Sequence, residues 1–143
     1  MKVLVTGGTG FIGSRLALAS RQRGLQVAVS GQVNTVPERA RARELDQAGV
    51  ELLQGALQDA AYAQRLVQGC DWVIHLAAAQ HEANVPDSYF ESANIGGTRT
   101  LLEASRAAGV KRFVYGSTIG VYGEASTGRL DESSPARPMN VYG

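Results

Sequence analysis

The chain has 143 residues, a length typical of one domain, and 44% of them are hydrophobic, enough for a buried core. Its formal net charge of +1 argues against a strongly basic nucleic-acid binder and against a charged membrane-surface protein. The lone cysteine, Cys70, excludes an intramolecular disulfide, and with no run near the ~20 apolar residues of a membrane span we expect a cytoplasmic protein.

Apolar, branched runs alternate along the chain with segments of helical periodicity. The expected strands are residues 2–6, 26–30, 50–53, 72–76 and 112–117. The expected helices are residues 11–23, 37–48, 60–67 and 87–108, with Asp59 as the cap of the third, and a polar loop covers 123–138. Five strands in alternation with helices predict an α/β fold, a doubly wound parallel sheet with helices on both faces.

A glycine-rich segment, Thr6-Gly7-Gly8-Thr9-Gly10-Phe11-Ile12-Gly13, joins the first strand to the first helix. Gly7 suits a turn that other residues cannot adopt, and Gly10 leaves room for a pyrophosphate. Gly13 allows the helix and the strand to pack closely. The N–H groups at the helix start favour phosphates, so the segment predicts dinucleotide binding rather than glycine used only for packing.

Further motifs follow in order along the whole chain. They are His75-Leu76-Ala77-Ala78, Asn94-Ile95-Gly96-Gly97-Thr98, Val110 to Thr118, Val121-Tyr122-Gly123 and Asp131-Glu132-Ser133 with Tyr142-Gly143. Together with the glycine spacing, they resemble the extended short-chain dehydrogenase/reductase family, in particular its NAD-dependent epimerases and dehydratases of the UDP-galactose 4-epimerase type. The resemblance covers the N-terminal part of that family's Rossmann fold.

The resemblance implies site residues, a cofactor and partners. Thr118 and Tyr142 take the places of the family's catalytic Ser/Thr and tyrosine. The implied cofactor-binding residues are Gly7, Gly10, Phe11, Ile12, Gly13, Leu57, Leu76, Ala77, Ala78, Asn94 and Ser117. The cofactor is NAD or NADP, with a slight preference for NAD, and the substrate is a nucleotide-sugar or a related small molecule. The full-length form is expected to be a homodimer that binds neither nucleic acid nor membrane.

The implied mechanism couples acid–base chemistry to hydride transfer between sugar and cofactor. Free tyrosine has a pKa of about 10, and the family lowers it with a lysine four residues after the catalytic tyrosine. The sequence ends at Gly143, before that position and before the family's substrate-binding region. We therefore expect residues 1–143 to be the NAD(P)-binding domain of a longer protein, without turnover of its own.

Two positions depart from the family pattern. Gly31 stands at the end of the second strand, where an acidic residue normally binds the adenosine ribose. This leaves space for the 2′-phosphate of NADP, with Arg39, Arg41 or Arg43 as candidate partners or simply as a solvated helix face. Replacing Gly31 by Asp is then expected to sharpen NAD preference. Ala56 stands where the family often has an aspartate near the adenine.

These departures keep a second interpretation open, a non-catalytic NAD(P)-binding regulator or sensor on the same fold. Cys70, Tyr115 and Tyr122 are interpreted as packing residues. His75 suits a packed strand end and His81 an exposed loop, and neither has a carboxylate or thiolate at ligand spacing, so no metal site is expected.

Overall fold

The computed structural model describes residues 1–80, 85–124 and 128–143, so the predicted loop position of His81 lies outside the described residues. Its strands are β1 (Lys2–Thr6), β2 (Gln26–Ser30), β3 (Glu51–Leu53), β4 (Trp72–His75) and β5 (Arg112–Tyr115). They form one parallel sheet in the order β3-β2-β1-β4-β5. The predicted doubly wound α/β fold is confirmed, although β5 ends two residues earlier than expected.

The helices also follow the predicted pattern. They are α1 (Phe11–Gln22), α2 (Val36–Gln47), α3 (Ala60–Val67), α4 (Asp87–Phe90) and α5 (Gly97–Ala107). A six-residue π-helical segment, Glu91–Gly96, joins α4 to α5, where the sequence predicted one uninterrupted helix. Asp59 caps α3 as expected, because its carboxylate accepts hydrogen bonds from two backbone N–H groups of the first turn, at 2.8 and 3.2 Å.

Alternation along the strands divides the core into two layers, because successive strand residues face opposite sides of a sheet. Leu4 and Val73 face the layer that α3 and α5 cover. Val3, Val5 and Val29 face the layer that α1 and α2 cover. All five side chains are buried, so both faces of the sheet exclude water. None of the helices in the described part of the chain has the length and apolar character that a bilayer crossing requires.

Of the residues interpreted as packing residues, Cys70 is buried and Tyr115 is exposed. Cys70 is buried, its thiol donates to the Leu66 carbonyl at 3.3 Å, and burial raises the pKa of the Cys70 thiol, so its packing role is confirmed. The same interpretation is wrong for Tyr115, which is 53% exposed. Tyr115 ends β5 at the edge of the sheet, where no neighbouring strand among the described residues covers it. Tyr122 is partly buried in a short 3₁₀ turn, Ile119–Tyr122.

The order of the strands locates a crevice. The chain builds β1, β2 and β3 in one direction and then returns to place β4 on the other side of β1. Loops that follow β1 and β4 therefore leave the sheet on opposite sides and open a gap above its carboxyl edge. Ligands of open α/β sheets bind at such a switch point.

Candidate functional site

A cavity of about 530 Å³ occupies this carboxyl edge. Its walls come from the glycine segment after β1 and from the loops after β2, β3 and β4. Six of the predicted cofactor-binding residues line it: Gly7, Gly10, Leu57, Leu76, Ala77 and Ala78. The volume is within the usual range of small-molecule and cofactor sites.

Each of the three glycines of the loop is required for a different structural reason. Gly7 has a φ of +68°, a conformation that residues with a side chain rarely adopt. A Cβ on Gly10 would lie 3.0 Å from the Gly7 carbonyl oxygen, on the cavity wall. A Cβ on Gly13 would clash with that same oxygen, so a side chain at this position would prevent α1 from packing onto the loop. The turn, the approach to the cavity and the close packing predicted for these glycines are all present.

Other predicted residues do not line the cavity. Phe11 and Ile12 begin α1, and their side chains are 70% and 69% exposed. Gly13 is buried beneath the loop, and Ser117 is exposed beyond the end of β5. Phe11, Ile12 and Gly13 can contact a ligand through their backbone N–H groups, which have no acceptor within the helix because they lie at its start.

Asn94 lies behind the cavity wall. From the π-helical segment, its side-chain oxygen accepts from the Ala79 N–H at 2.8 Å, and its amide donates to the Ala79 carbonyl at 3.2 Å. Ala79 itself lines the cavity. Asn94 thus holds the loop after β4 through its backbone, and direct binding of a cofactor by Asn94 stays a prediction.

Sequence reasoning missed several residues of the wall, among them Thr9, Gln32, Glu38 and Gln80. Glu38 had a local signal, since Thr35 and Glu38 have the spacing of a capping box and form one at the start of α2. Gln80 had none. The predicted partners of a 2′-phosphate were Arg39, Arg41 and Arg43. None of them lines the cavity in the part of the chain that the structure describes.

The predicted catalytic tyrosine contacts a residue of the cavity wall. Gln80, a wall residue, donates from its amide to the Tyr142 hydroxyl oxygen at 2.5 Å. The side-chain oxygen of Asn140 accepts from the N–H groups of Tyr142 and Gly143, at 3.1 and 3.0 Å, and so shapes the turn that presents the tyrosine.

Thr118 lies at the start of the neighbouring 3₁₀ turn. Its hydroxyl oxygen accepts from the Gly120 N–H at 3.1 Å. A Cβ on Gly143 would lie 2.7 Å from the Gly120 carbonyl oxygen, so the backbone beside Tyr142 packs against the turn that Thr118 caps. The fold therefore brings the segments of Thr118 and Tyr142 together, although the two residues are 24 positions apart in the sequence.

His75 is a packed strand-end histidine, as predicted. It is 1% exposed, and its two ring nitrogens lie 2.6 Å from the Thr6 hydroxyl oxygen and 2.9 Å from that of Thr98. Burial lowers the pKa of His75 to about 4 from an ordinary value of 6.5. The ring is therefore neutral at pH 7 and acts in packing between β1, β4 and α5. Among the described residues, no three His, Cys, Asp or Glu side chains gather as a metal site.

The neutral His75 predicts a pH-dependent stability. Its pKa is lower in the folded state than in the unfolded chain, so the unfolded chain binds the extra proton between pH 6.5 and 4. The free energy of unfolding should be constant above pH 6.5 and fall by up to roughly 3 kcal/mol as the pH is lowered to 4. Urea unfolding at half-unit pH steps measures it. A His75→Gln variant should lose this dependence, and an equal dependence in that variant would contradict the assignment.

The chain matches one family model along nearly its whole length. The model describes the NAD dependent epimerase/dehydratase family and matches residues 3–143. A UDP-glucose 4-epimerase of Streptomyces lividans is 38% identical over 153 aligned positions, which include 99% of this chain and 43% of that relative. A dTDP-glucose 4,6-dehydratase of Streptomyces niveus is 35% identical over 99% of this chain and 45% of its own length. The chain thus spans less than half the length of these relatives.

A solved structure leads to the same group of proteins. The dTDP-glucose 4,6-dehydratase DesIV of Streptomyces venezuelae, crystallised with NAD and TYD bound, superposes with a TM-score of 0.87 at 36% identity. The superposition covers 99% of this chain and 47% of that structure.

Proposed function

This chain belongs to the NAD-dependent epimerase/dehydratase family, and we propose that it is the cofactor-binding part of an enzyme that epimerises or dehydrates a nucleotide-sugar with NAD or NADP. The observation that carries the proposal is a cavity whose wall includes both the glycine-rich loop and Gln80, the residue that donates to the Tyr142 hydroxyl oxygen. The names of the relatives, UDP-glucose 4-epimerase and dTDP-glucose 4,6-dehydratase, support a sugar nucleotide as the substrate.

The residues present fit a dinucleotide. Gly7, Gly10 and Gly13 leave the space that three side chains would otherwise fill, beside the first N–H groups of α1. Those N–H groups and the helix dipole favour a pyrophosphate. Leu57 and Ala77 supply apolar parts of the cavity wall. In this assignment the glycine loop holds the phosphates, and the loop after β4 holds the nicotinamide end.

The bound dinucleotide would supply the oxidation and reduction of a sugar carbon. Tyr142 would take up and return the proton of a sugar hydroxyl through its phenolic oxygen, which must lie within hydrogen-bond reach of the substrate. Gln80, a residue of the cavity wall, donates to that oxygen and holds it beside the wall. Thr118 would orient the same hydroxyl from the adjoining turn. The homodimer and the cytoplasmic location expected from the resemblance stay predictions.

A direct assay tests the function in the protein at its natural length. We expect NAD to bind, and either the 4-epimer of UDP-glucose or a dehydrated product of dTDP-glucose to accumulate, as followed by proton NMR. Free glucose is the control, and it should remain unchanged because it lacks the nucleotide. Binding of NAD without conversion of either sugar nucleotide would favour the regulator or sensor, and absence of binding to NAD and NADP would contradict the proposal altogether.

A further inference from the structure

The end of β2 has no room for the acidic residue that usually binds the adenosine ribose at this position. A Cβ on Gly31 would clash with the Thr9 hydroxyl oxygen and lie 2.9 Å from the Thr9 backbone nitrogen. Thr9 is 2% exposed and belongs to the glycine loop, so it cannot move aside without moving that loop. The exchange of Gly31 for Asp is therefore not a clean test of cofactor preference, because it would disturb the phosphate site as well.

A carboxylate reaches the same part of the cavity from a different element. Glu38, in the first turn of α2, lines the wall together with Gly31 and Gln32. It is the one charged side chain on that wall among the described residues. A negative charge is thus present where the sequence alone indicated that it was missing.

The capping box fixes this carboxylate in place. Oε2 of Glu38 accepts from the Thr35 backbone N–H at 2.8 Å and from the Thr35 hydroxyl at 2.9 Å. The Thr35 side chain in turn accepts from the Glu38 N–H at 3.3 Å. No hydrogen bond to Oε1 comes from any residue that the structure describes, so this oxygen can accept one from a ligand.

Two of the three arginines of α2 donate to backbone carbonyls. Arg39 donates to the carbonyls of Val33 and Asn34, at 3.2 and 2.7 Å. Arg41 donates to the Thr9 carbonyl at 3.2 Å, and its guanidinium lies 6.0 Å from the centre of the Phe11 ring. Within the described chain, the wall near Gly31 offers a carboxylate and no cation to a 2′-phosphate.

We propose that Glu38 determines the choice of cofactor, in place of the acidic residue absent from β2. Its free oxygen accepts a hydrogen bond from a hydroxyl of the adenosine ribose of NAD. The 2′-phosphate of NADP meets the same carboxylate and is repelled by its charge. The inference rests on the proposed function, because it assumes that the cavity binds a dinucleotide, and it makes this chain NAD-selective.

The test compares Glu38→Gln with Glu44→Gln in the protein at its natural length. Glutamine keeps the capping box, since Gln serves at this position as Glu does. Glu44 lies on the same helix, where it contacts Arg15 at 3.3 Å and does not line the cavity. Glu44→Gln therefore makes the same change in net charge away from the cavity and serves as the control. The Kd values for NAD and NADP are measured by calorimetry, at low and at high salt.

We expect the unchanged protein and Glu44→Gln to prefer NAD, and Glu38→Gln to lose about tenfold or more of that preference through tighter NADP binding. High salt should weaken the preference of the unchanged protein and leave that of Glu38→Gln almost unaltered. An unchanged preference in Glu38→Gln, an equal loss in Glu44→Gln, or NADP preference in the unchanged protein would overturn the inference while the proposed function stands. Absence of binding to both dinucleotides would instead overturn the proposed function.

Discussion

Replacing Gly10 by Val should weaken NAD binding about a hundredfold or more in the protein at its natural length, which corresponds to about 3 kcal/mol. Gly10 precedes α1 and lines the cavity, and the Cβ alone would lie 3.0 Å from the Gly7 carbonyl oxygen. The two methyl groups of valine would then stand where the pyrophosphate approaches the helix N–H groups. Calorimetric titration with NAD and with NADP measures the loss.

Gly96→Val is the matched control for this prediction. Gly96 lies outside the glycine loop, and the atoms nearest to a Cβ there are 3.9 Å away. Its variant should bind NAD as the unchanged protein does, and thermal unfolding followed by circular dichroism should show that both variants keep the fold. Unchanged affinity of the Gly10 variant for both dinucleotides would show that this loop is not the phosphate site.

Tyr142→Phe should lower kcat about a hundredfold to ten-thousandfold, the usual contribution of a positioned acid–base group. The substitution removes only the hydroxyl, whose oxygen accepts from Gln80, a residue of the cavity wall, at 2.5 Å. The glycine loop is remote from it in sequence and is unchanged, so the Kd for NAD should stay within about twofold. Steady-state turnover of the sugar nucleotide and NAD titration, measured on the same preparation, separate the two effects.

Tyr122→Phe serves as the control because Tyr122 belongs to the adjoining 3₁₀ turn and is partly buried there. It should retain kcat, since no hydrogen bond of its hydroxyl is present among the described residues. The assignment would be wrong if Tyr122→Phe lost turnover and Tyr142→Phe retained it. Equal loss in both variants would indicate that the turn, and not the tyrosine hydroxyl, limits the reaction.

The local elements could be predicted because each depends on residues close together in sequence. Branched apolar runs such as Val27–Val29 require burial on both faces, and Asp59 caps α3 through N–H groups two and three positions later. The glycine segment belongs to the same class, since the turn at Gly7 and the start of α1 are six residues or fewer apart. The predicted end of β5 was two residues too late, because the last residue of β5 paired with β4 is Tyr115, opposite His75.

The walls of the site could be predicted only in part. Leu57 and Ala77 were found through the resemblance, but Glu38 and Gln80 were not, because their place on the wall depends on how α2 and the loop after β4 pack on the sheet. The role of the arginines of α2 stays an untested prediction. Their charge suggested a phosphate partner, whereas Arg39 and Arg41 donate to backbone carbonyls and neither lines the cavity.

Periodicity, glycine spacing and motif order are properties of the linear chain, so the α/β alternation, the glycine-rich loop and the family could be predicted from it. Three features depend on the folded chain: Thr9 fills the space beside Gly31, Glu38 supplies the charge on that wall, and Gln80 contacts Tyr142. Thr9 and Gly31 are 22 positions apart in the sequence, and Gln80 and Tyr142 are 62 positions apart. Such contacts exist only once the sheet order has brought the carboxyl ends of β1, β2 and β4 to one edge, and no local pattern encodes that order.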